Sequence, residues 1–228
     1  MPSLAEIHNL GLEIILVAGW LGLILGVAEG LNRGFSVNAE VSRKIVHIGT
    51  GNVILLAWWL NIPAWVGIAA SVISGIIALI SYQTQILPSI NSVGRKSLGT
   101  FFYAISIGVL IGYFWTIQQP QYAALGILIM AWGDGLAAVI GQQWGKHKYQ
   151  VFGNNKSWEG SLTMLLVSFI VCALILLATQ ENNQMSLIIS IAVAFVTTGL
   201  ETFSKYGIDN LTVPLSSASL AFLLNQIF

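Results

Sequence analysis

The residues able to do chemistry here are few, and they stand apart from long apolar runs. Asp134 is flanked by Gly133 and Gly135 and lies seven residues before Gly141. At ~1.5 Å per helical residue that places it about 10 Å below the end of its apolar run. No cation lies within a helical turn of it. An unpaired carboxylate at that depth would cost several kcal/mol or be neutralised. A metal ion, or cations from other segments, is therefore expected to meet it, and the flanking glycines leave room for a ligand or another backbone. The following stretch, Gly141 to Ser161, sets Lys146, Lys148 and Lys156 among glycines and amides. Backbone N–H groups and ammonium heads of this kind oppose the charge of a polyphosphate. The spacing is not that of a P-loop. Lys146 and Lys148 also suit a purely topological role, whereas Lys156 sits in a tighter polar cluster. A third group, Arg43-Lys44-Ile45-Val46-His47, precedes Gly49, Thr50, Gly51 and Asn52. Helical spacing puts Arg43 and His47 on one face. Of the remaining acids, Glu13 lies at a run's outer end. Glu29 and Glu201 lie near inner ends, where Arg33 and Lys205 are available as partners.

These groups need a scaffold, and composition says which kind. The 228 residues (24.6 kDa) read as a single domain, 1–228, with 56% hydrophobic residues, 8% charged residues and a mean hydropathy of +0.80. A soluble domain carries about 25% charged residues. A disordered chain and an ordinary water-soluble enzyme are both excluded. Nine basic residues balance nine acidic ones, so there is no positive excess to grip nucleic acid. The single cysteine, Cys172, lies in an apolar run and offers neither a disulfide nor a cysteine metal site. The fold class expected is an all-α integral membrane protein, a polytopic bundle of seven or eight transmembrane helices.

The candidate spans are approximately Leu12–Leu31, Ile48–Leu60, Ala64–Tyr82, Gly99–Ile117, Tyr122–Gly141, Ser161–Ala178, Met185–Leu200 and Val213–Phe228. The second and last are short for a hydrocarbon core of roughly 30 Å. The first is expected to remain as a span rather than act as a cleaved signal, because no basic segment precedes it. No Arg- and Ser-rich transit peptide is evident, which suggests a bacterial-type chain. With eight spans, all nine cations fall in odd-numbered loops. The positive-inside rule then puts those loops in the cytoplasm and both termini outside. Outer loops are short and inner ones longer, so the chemistry is expected on the cytoplasmic face. Small residues recur every four positions in four spans: Gly22/Gly26/Gly30, Gly67/Ser71/Gly75, Ala104/Gly108/Gly112 and Gly133/Ala137/Gly141. Such stripes let helices pack closely in lipid. No internal repeat of the transporter kind is visible.

Three blocks, taken together, resemble the CTP-dependent polyprenol kinases, nearest to the phytol kinases of plants and cyanobacteria. They are RKIVHIGTGN (Arg43–Asn52), WGDGLAAVIGQQWG with NNKSWEGS (Trp132–Ser161), and LETFSKYGIDNLTVPL (Leu200–Leu215). The middle block departs at Glu159, where many phytol kinases have Ala. KSWEG is also close to a signature of phosphatidate cytidylyltransferases.

The resemblance implies transfer of the γ-phosphate of CTP to a long isoprenoid alcohol: phytol, with geranylgeraniol or farnesol as alternatives. The lipid alcohol and CTP are the expected partners within the bilayer of a bacterial inner or thylakoid membrane. The product would feed phytol towards tocopherol. Mg²⁺ is the implied counter-ion, with Asp134 as first choice of ligand and Glu201 or Asp209 second. Lys156 and Arg43 would neutralise phosphate oxygens, with His47 beside them. Lys44, Gly133, Gly135, Asn155, Ser157, Glu159 and Asn210 would line the nucleotide site. Whether Asp134 acts as metal ligand or as base for the alcohol stays open. Two other readings compete: a cytidylyltransferase releasing pyrophosphate, and a transporter. A transporter would want polar groups along a through-path, not at one face.

Overall fold

The computed structural model of the chain describes residues 4–35, 39–84 and 98–228, with only the backbone described at 4–9, 32–35, 39–40, 43 and 83–84, Arg33 and Arg43 among them. Arg95 and Lys96, assigned to an inner loop, lie outside the described residues. The described chain is helical apart from one small hairpin. Its helices are α1 (Leu4–Phe35), α2 (Ala39–Gly51), α3 (Val53–Trp59), α4 (Ala64–Thr84), α5 (Gly99–Phe114) and α6 (Pro120–Leu128). A π-helical turn, Ile129–Asp134, then leads into α7 (Gly135–Gln143). After β1 (Lys148–Val151) and β2 (Asn154–Ser157) come α8 (Trp158–Thr179), α9 (Asn183–Thr202) and α10 (Asp209–Ile227).

Among the described residues five helical stretches are long and apolar enough to cross a membrane: Leu10–Leu31, Ala64–Tyr82, Pro120–Gln143, Trp158–Thr179 and Asn183–Thr202. The other expected spans correspond to α5, α10 and the composite α2–α3. The short second span is thus extended into its polar flank and broken at Asn52, where α2 hands over to α3. The expected last span likewise begins earlier, at Asp209.

The stretch Pro120–Gln143 is the axis of the bundle. Tyr122, Ala123, Ala124, Leu125, Ile129, Met130 and Ala131 are fully buried. Helices α3, α5, α8 and α10 surround α6. The outer helices turn apolar side chains away from the protein. On α8, Leu162, Leu166, Ile170, Leu174 and Leu177 are exposed, while Met164, Ser168, Cys172 and Leu176 face inward. An exposed leucine stripe beside an inward face of smaller and polar residues is what lipid solvation produces, since lipid tails are as apolar as leucine. Three interior hydroxyls are met locally: Ser190, Thr197 and Ser217 donate to the carbonyls of Ser186, Val193 and Val213 at 2.7, 2.9 and 2.8 Å.

Three of the small-residue stripes do what their spacing predicts, since a Cβ on Gly108 of α5 would also run into the Ser71 hydroxyl of α4. A Cβ on Gly67 would come 2.7 Å from Ile111, and one on Gly141 would come 3.0 Å from the Ser157 hydroxyl, so α4 closes on α5 and α7 on α8. Gly22, Gly26 and Gly30 on α1 have no such neighbour within 4 Å among the described residues. The long loop expected at 142–160 contains the β1–β2 hairpin, with Val151 opposite Asn154. Its two-residue turn puts both Phe152 (φ 48°) and Gly153 (φ 80°) in the left-handed region, the geometry that matches the twist of the flanking strands.

Candidate active site

Four helical segments and the hairpin bring the charged groups together at one end of the bundle. The Lys44 ammonium, on α2, is ion-paired and hydrogen-bonded to the Asp134 carboxylate at the end of the π turn. Ninety residues separate the two in sequence. Both side chains are nearly enclosed, 10% and 14% exposed. His47, one turn beyond Lys44, places Nε2 3.9 Å from the same Asp134 oxygen, and its ring lies 4.6 Å from that of Tyr103 on α5. The isolated carboxylate of the sequence is thus met by a cation from another segment. Arg43 belongs to the same helix; its side chain is outside the described residues.

A second pair stands close to the first. Lys156, on β2, donates to Glu201 Oε1 at 2.5 Å and also to the Glu201 backbone carbonyl at the end of α9. Their side chains are 16% and 12% exposed. Glu201 therefore pairs with Lys156 rather than with Lys205, whose ammonium instead sits 5.1 Å from the Tyr206 ring centroid. Asp209, at the first turn of α10, is close enough to feel the charges of Asp134, Lys156 and Lys44, and Glu201 feels those of Asp134 and Asp209. The described centre holds three carboxylates and two ammonium groups.

The hairpin is what brings Lys156 into this centre. Asn154 Nδ2 donates to the Ser204 carbonyl at 3.2 Å, and the Phe152 ring lies 6.3 Å from that of Phe203. These contacts hold the hairpin against the α9–α10 connection. At its base, Ser157 caps α8 by accepting from the Gly160 N–H at 3.2 Å. Glu159 accepts from the backbone N–H of His147 at 3.2 Å and pairs with His147 Nδ1 at 2.7 Å. Asn155 is exposed and accepts from Gln150 Nε2 at 2.9 Å. Asn210 bonds within its own turn, to the Gly207 carbonyl at 3.3 Å. Ser157, Glu159, Asn155 and Asn210 thus build the loops around the centre, with their polar atoms engaged there.

The π turn positions Asp134. Such a turn adds a residue to the helical repeat and is frequent where a helix carries a functional group. Gly133 and Gly135 let neighbours close on it: a Cβ at the former would come 2.7 Å from Met164 Sδ, and at the latter 2.7 Å from Ile48. The space expected beside these glycines is filled by side chains of α8 and α2. Sequence reasoning missed Tyr103 altogether. It lies in an apolar run far from any motif, and only its neighbours in space, the His47 ring and the charge of Asp134, distinguish it.

The opposite end of the bundle is built differently. Trp115 Nε1 donates to the Ile62 carbonyl at 3.1 Å, and Asn225 donates to Gln180 at 2.9 Å. Two cavities, about 530 and 360 Å³, lie there beside Trp58 and Asn61, away from the charged centre. They are open surface clefts with no titratable lining, and the chemistry does not follow them.

The structure thus defines an α-helical membrane protein with a buried lysine–carboxylate centre at one end. Over 213 residues the chain is 55% identical to a phytol kinase of Synechocystis sp., covering 93% of this chain and 91% of that protein. It is 26% identical to phytol kinase 1, chloroplastic, of Arabidopsis thaliana, covering 95% and 77% of the two chains, and 26% identical to a probable phytol kinase 1, chloroplastic, of Oryza sativa, covering 96% and 75%. No family model and no solved structure matches. The chain belongs to the phytol kinase family.

Proposed function

We propose that the chain transfers the γ-phosphate of CTP to the hydroxyl of phytol, giving phytyl monophosphate and CDP, on the cytoplasmic side of its membrane. The observation that carries this reading is the pair of enclosed lysine–carboxylate contacts, Lys44–Asp134 and Lys156–Glu201, assembled at one end of the bundle. Phosphoryl transfer asks mainly for positioning and charge neutralisation. An arriving Mg²⁺–nucleotide can replace both partners of each pair, taking the ammonium on a phosphate oxygen and the carboxylate on the metal. The cytoplasmic side is favoured because Lys44, Lys146, Lys148, Lys156 and Lys205 all gather at this end.

The donor set fits magnesium. Among the described residues no three His, Cys, Asp or Glu form a ready-made cage. Mg²⁺ is held instead by one or two carboxylates together with substrate phosphates and water. Glu201 and Asp209, mutually close and oxygen-only, would hold it. The metal would supply charge neutralisation on the transferring phosphate. Lys156 and Lys44 would steady the phosphate oxygens, and Asp134 would take the alcohol proton. Phytol, a lipid, reaches the same centre from the bilayer between helices, so the two substrates arrive from opposite sides.

The test is purified protein with labelled CTP or ATP and a panel of phytol, geranylgeraniol, farnesol, dolichol and diacylglycerol, with and without chelator. Phytyl phosphate and CDP, lost on chelation, are expected. Release of pyrophosphate with a CDP-lipid would establish a cytidylyltransferase instead. A preference for dolichol or diacylglycerol would overturn the choice of acceptor.

A further inference from the structure

Tyr103 is 7% exposed, and its hydroxyl has no hydrogen-bond partner among the described residues. Burying an unpaired hydroxyl is unfavourable, and a phenylalanine of the same shape would avoid it. The ring does not stand in plain apolar packing either. It lies 4.6 Å from the His47 ring at an interplanar angle of 40°, and it is near enough to Asp134 to feel its charge. Room for the hydroxyl is kept by Gly51, where a Cβ would come 3.0 Å from the oxygen. Tyr103 is on the fifth residue of α5 and His47 on the ninth of α2. Both sit inside the helical bundle, His47 with Nε2 3.9 Å from the Asp134 carboxylate that Lys44 pairs with.

We propose that the Tyr103 hydroxyl binds the hydroxyl of the lipid alcohol and aims it at the phosphate. This rests on the kinase reading above and adds to it the residue that tells an alcohol from a bare hydrocarbon. In the step it serves, the alcohol oxygen forms a bond to the γ-phosphorus. The bond from that phosphorus to the β–γ bridging oxygen breaks, CDP leaves, and the alcohol proton passes to Asp134. Tyr103 keeps its own proton throughout. A site that hydrogen-bonds its substrate's hydroxyl discriminates more sharply than one that only encloses an apolar tail.

The experiment is Tyr103→Phe in the full-length chain, reconstituted in vesicles and assayed with CTP and phytol. kcat/KM for phytol should fall about 5–10-fold, the loss of one neutral hydrogen bond. KM for CTP should be unchanged, and Tm should not drop, because the hydroxyl removed bonds nothing among the described residues. Phytol kinetics within twofold of the parent would overturn the assignment. So would a lower Tm, or equal losses towards phytol and CTP, since those mark a structural role. A parent protein that phosphorylates no alcohol would overturn the kinase reading itself, a result the unmutated control shows separately.

Discussion

Replacing Lys44 by Met tests whether the buried pairs are as exposed to imbalance as the geometry implies. Five charged side chains form the described centre, Lys44 and Lys156 against Asp134, Glu201 and Asp209, a sum of −1. Lys44→Met leaves one ammonium against three carboxylates, −2, and takes the paired ammonium away from Asp134, which is 14% exposed. Breaking a buried pair by removing one partner costs about 3–5 kcal/mol. For a chain of this size, 1 kcal/mol corresponds to a Tm change of about 2–4 °C, so a loss of at least ~6 °C is expected. Asp134→Asn is different. It leaves two ammonium groups against two carboxylates, and Asp209 remains within reach of Lys44. Its Tm should change by less than half as much. Cys172 is the sole cysteine and is fully buried, so a thiol-reactive fluorophore in detergent reads unfolding directly. The double variant restores the sum to −1 and should be more stable than Lys44→Met alone. A Lys44→Met protein within 2 °C of the parent, or an Asp134→Asn protein that loses more than Lys44→Met, would refute the reasoning.

Asp134→Asn, although mild for stability, should lower turnover by about 10²–10³, the scale of losing a key electrostatic group; near-normal rates would move the chemistry elsewhere. Lys156→Ala should sharply raise KM for CTP, while Lys148→Ala, on an exposed strand position, should change it less than twofold; equal losses would mean the hairpin acts only as a diffuse positive field. Cysteines introduced at Lys148 and Lys205 should react with an impermeant thiol reagent only after the membrane is opened, and labelling in intact cells would invert the topology. Gly153→Val meets no clash, since nothing lies within 4 Å of the added Cβ, but its φ of 80° strains any branched side chain. Loss of CTP use in that variant, with Tm nearly unchanged, would show that the hairpin places Lys156.

Much of this protein is written locally. Its membrane class follows from composition, because a chain with 8% charged residues cannot cover itself with water-compatible surface. Helical spans follow from run length, since hydrocarbon admits no unpaired backbone and a span must satisfy its own hydrogen bonds. Asp134 is legible for a related reason: a carboxylate is expensive in an apolar helix, so its presence alone marks a task. The membership of a kinase family was also within reach of three short blocks. What local reading could not supply is pairing. Lys44 and Asp134 are 90 residues apart and Lys156 and Glu201 are 45 apart, and charge periodicity along a helix says nothing about contacts between helices. Nearest-neighbour spacing suggested Lys205 for Glu201, yet the hairpin carries Lys156 there. The π turn, the break at Asn52 and the hairpin are likewise products of packing, where glycines are closed upon by Met164, Ile48 and Ser157. Tyr103 shows the limit most clearly. Along the chain it is one aromatic in an apolar run; only the folded bundle sets its ring against His47 and within reach of the charge of Asp134, because chemistry in a bundle depends on which faces meet, and that is decided by all the helices at once.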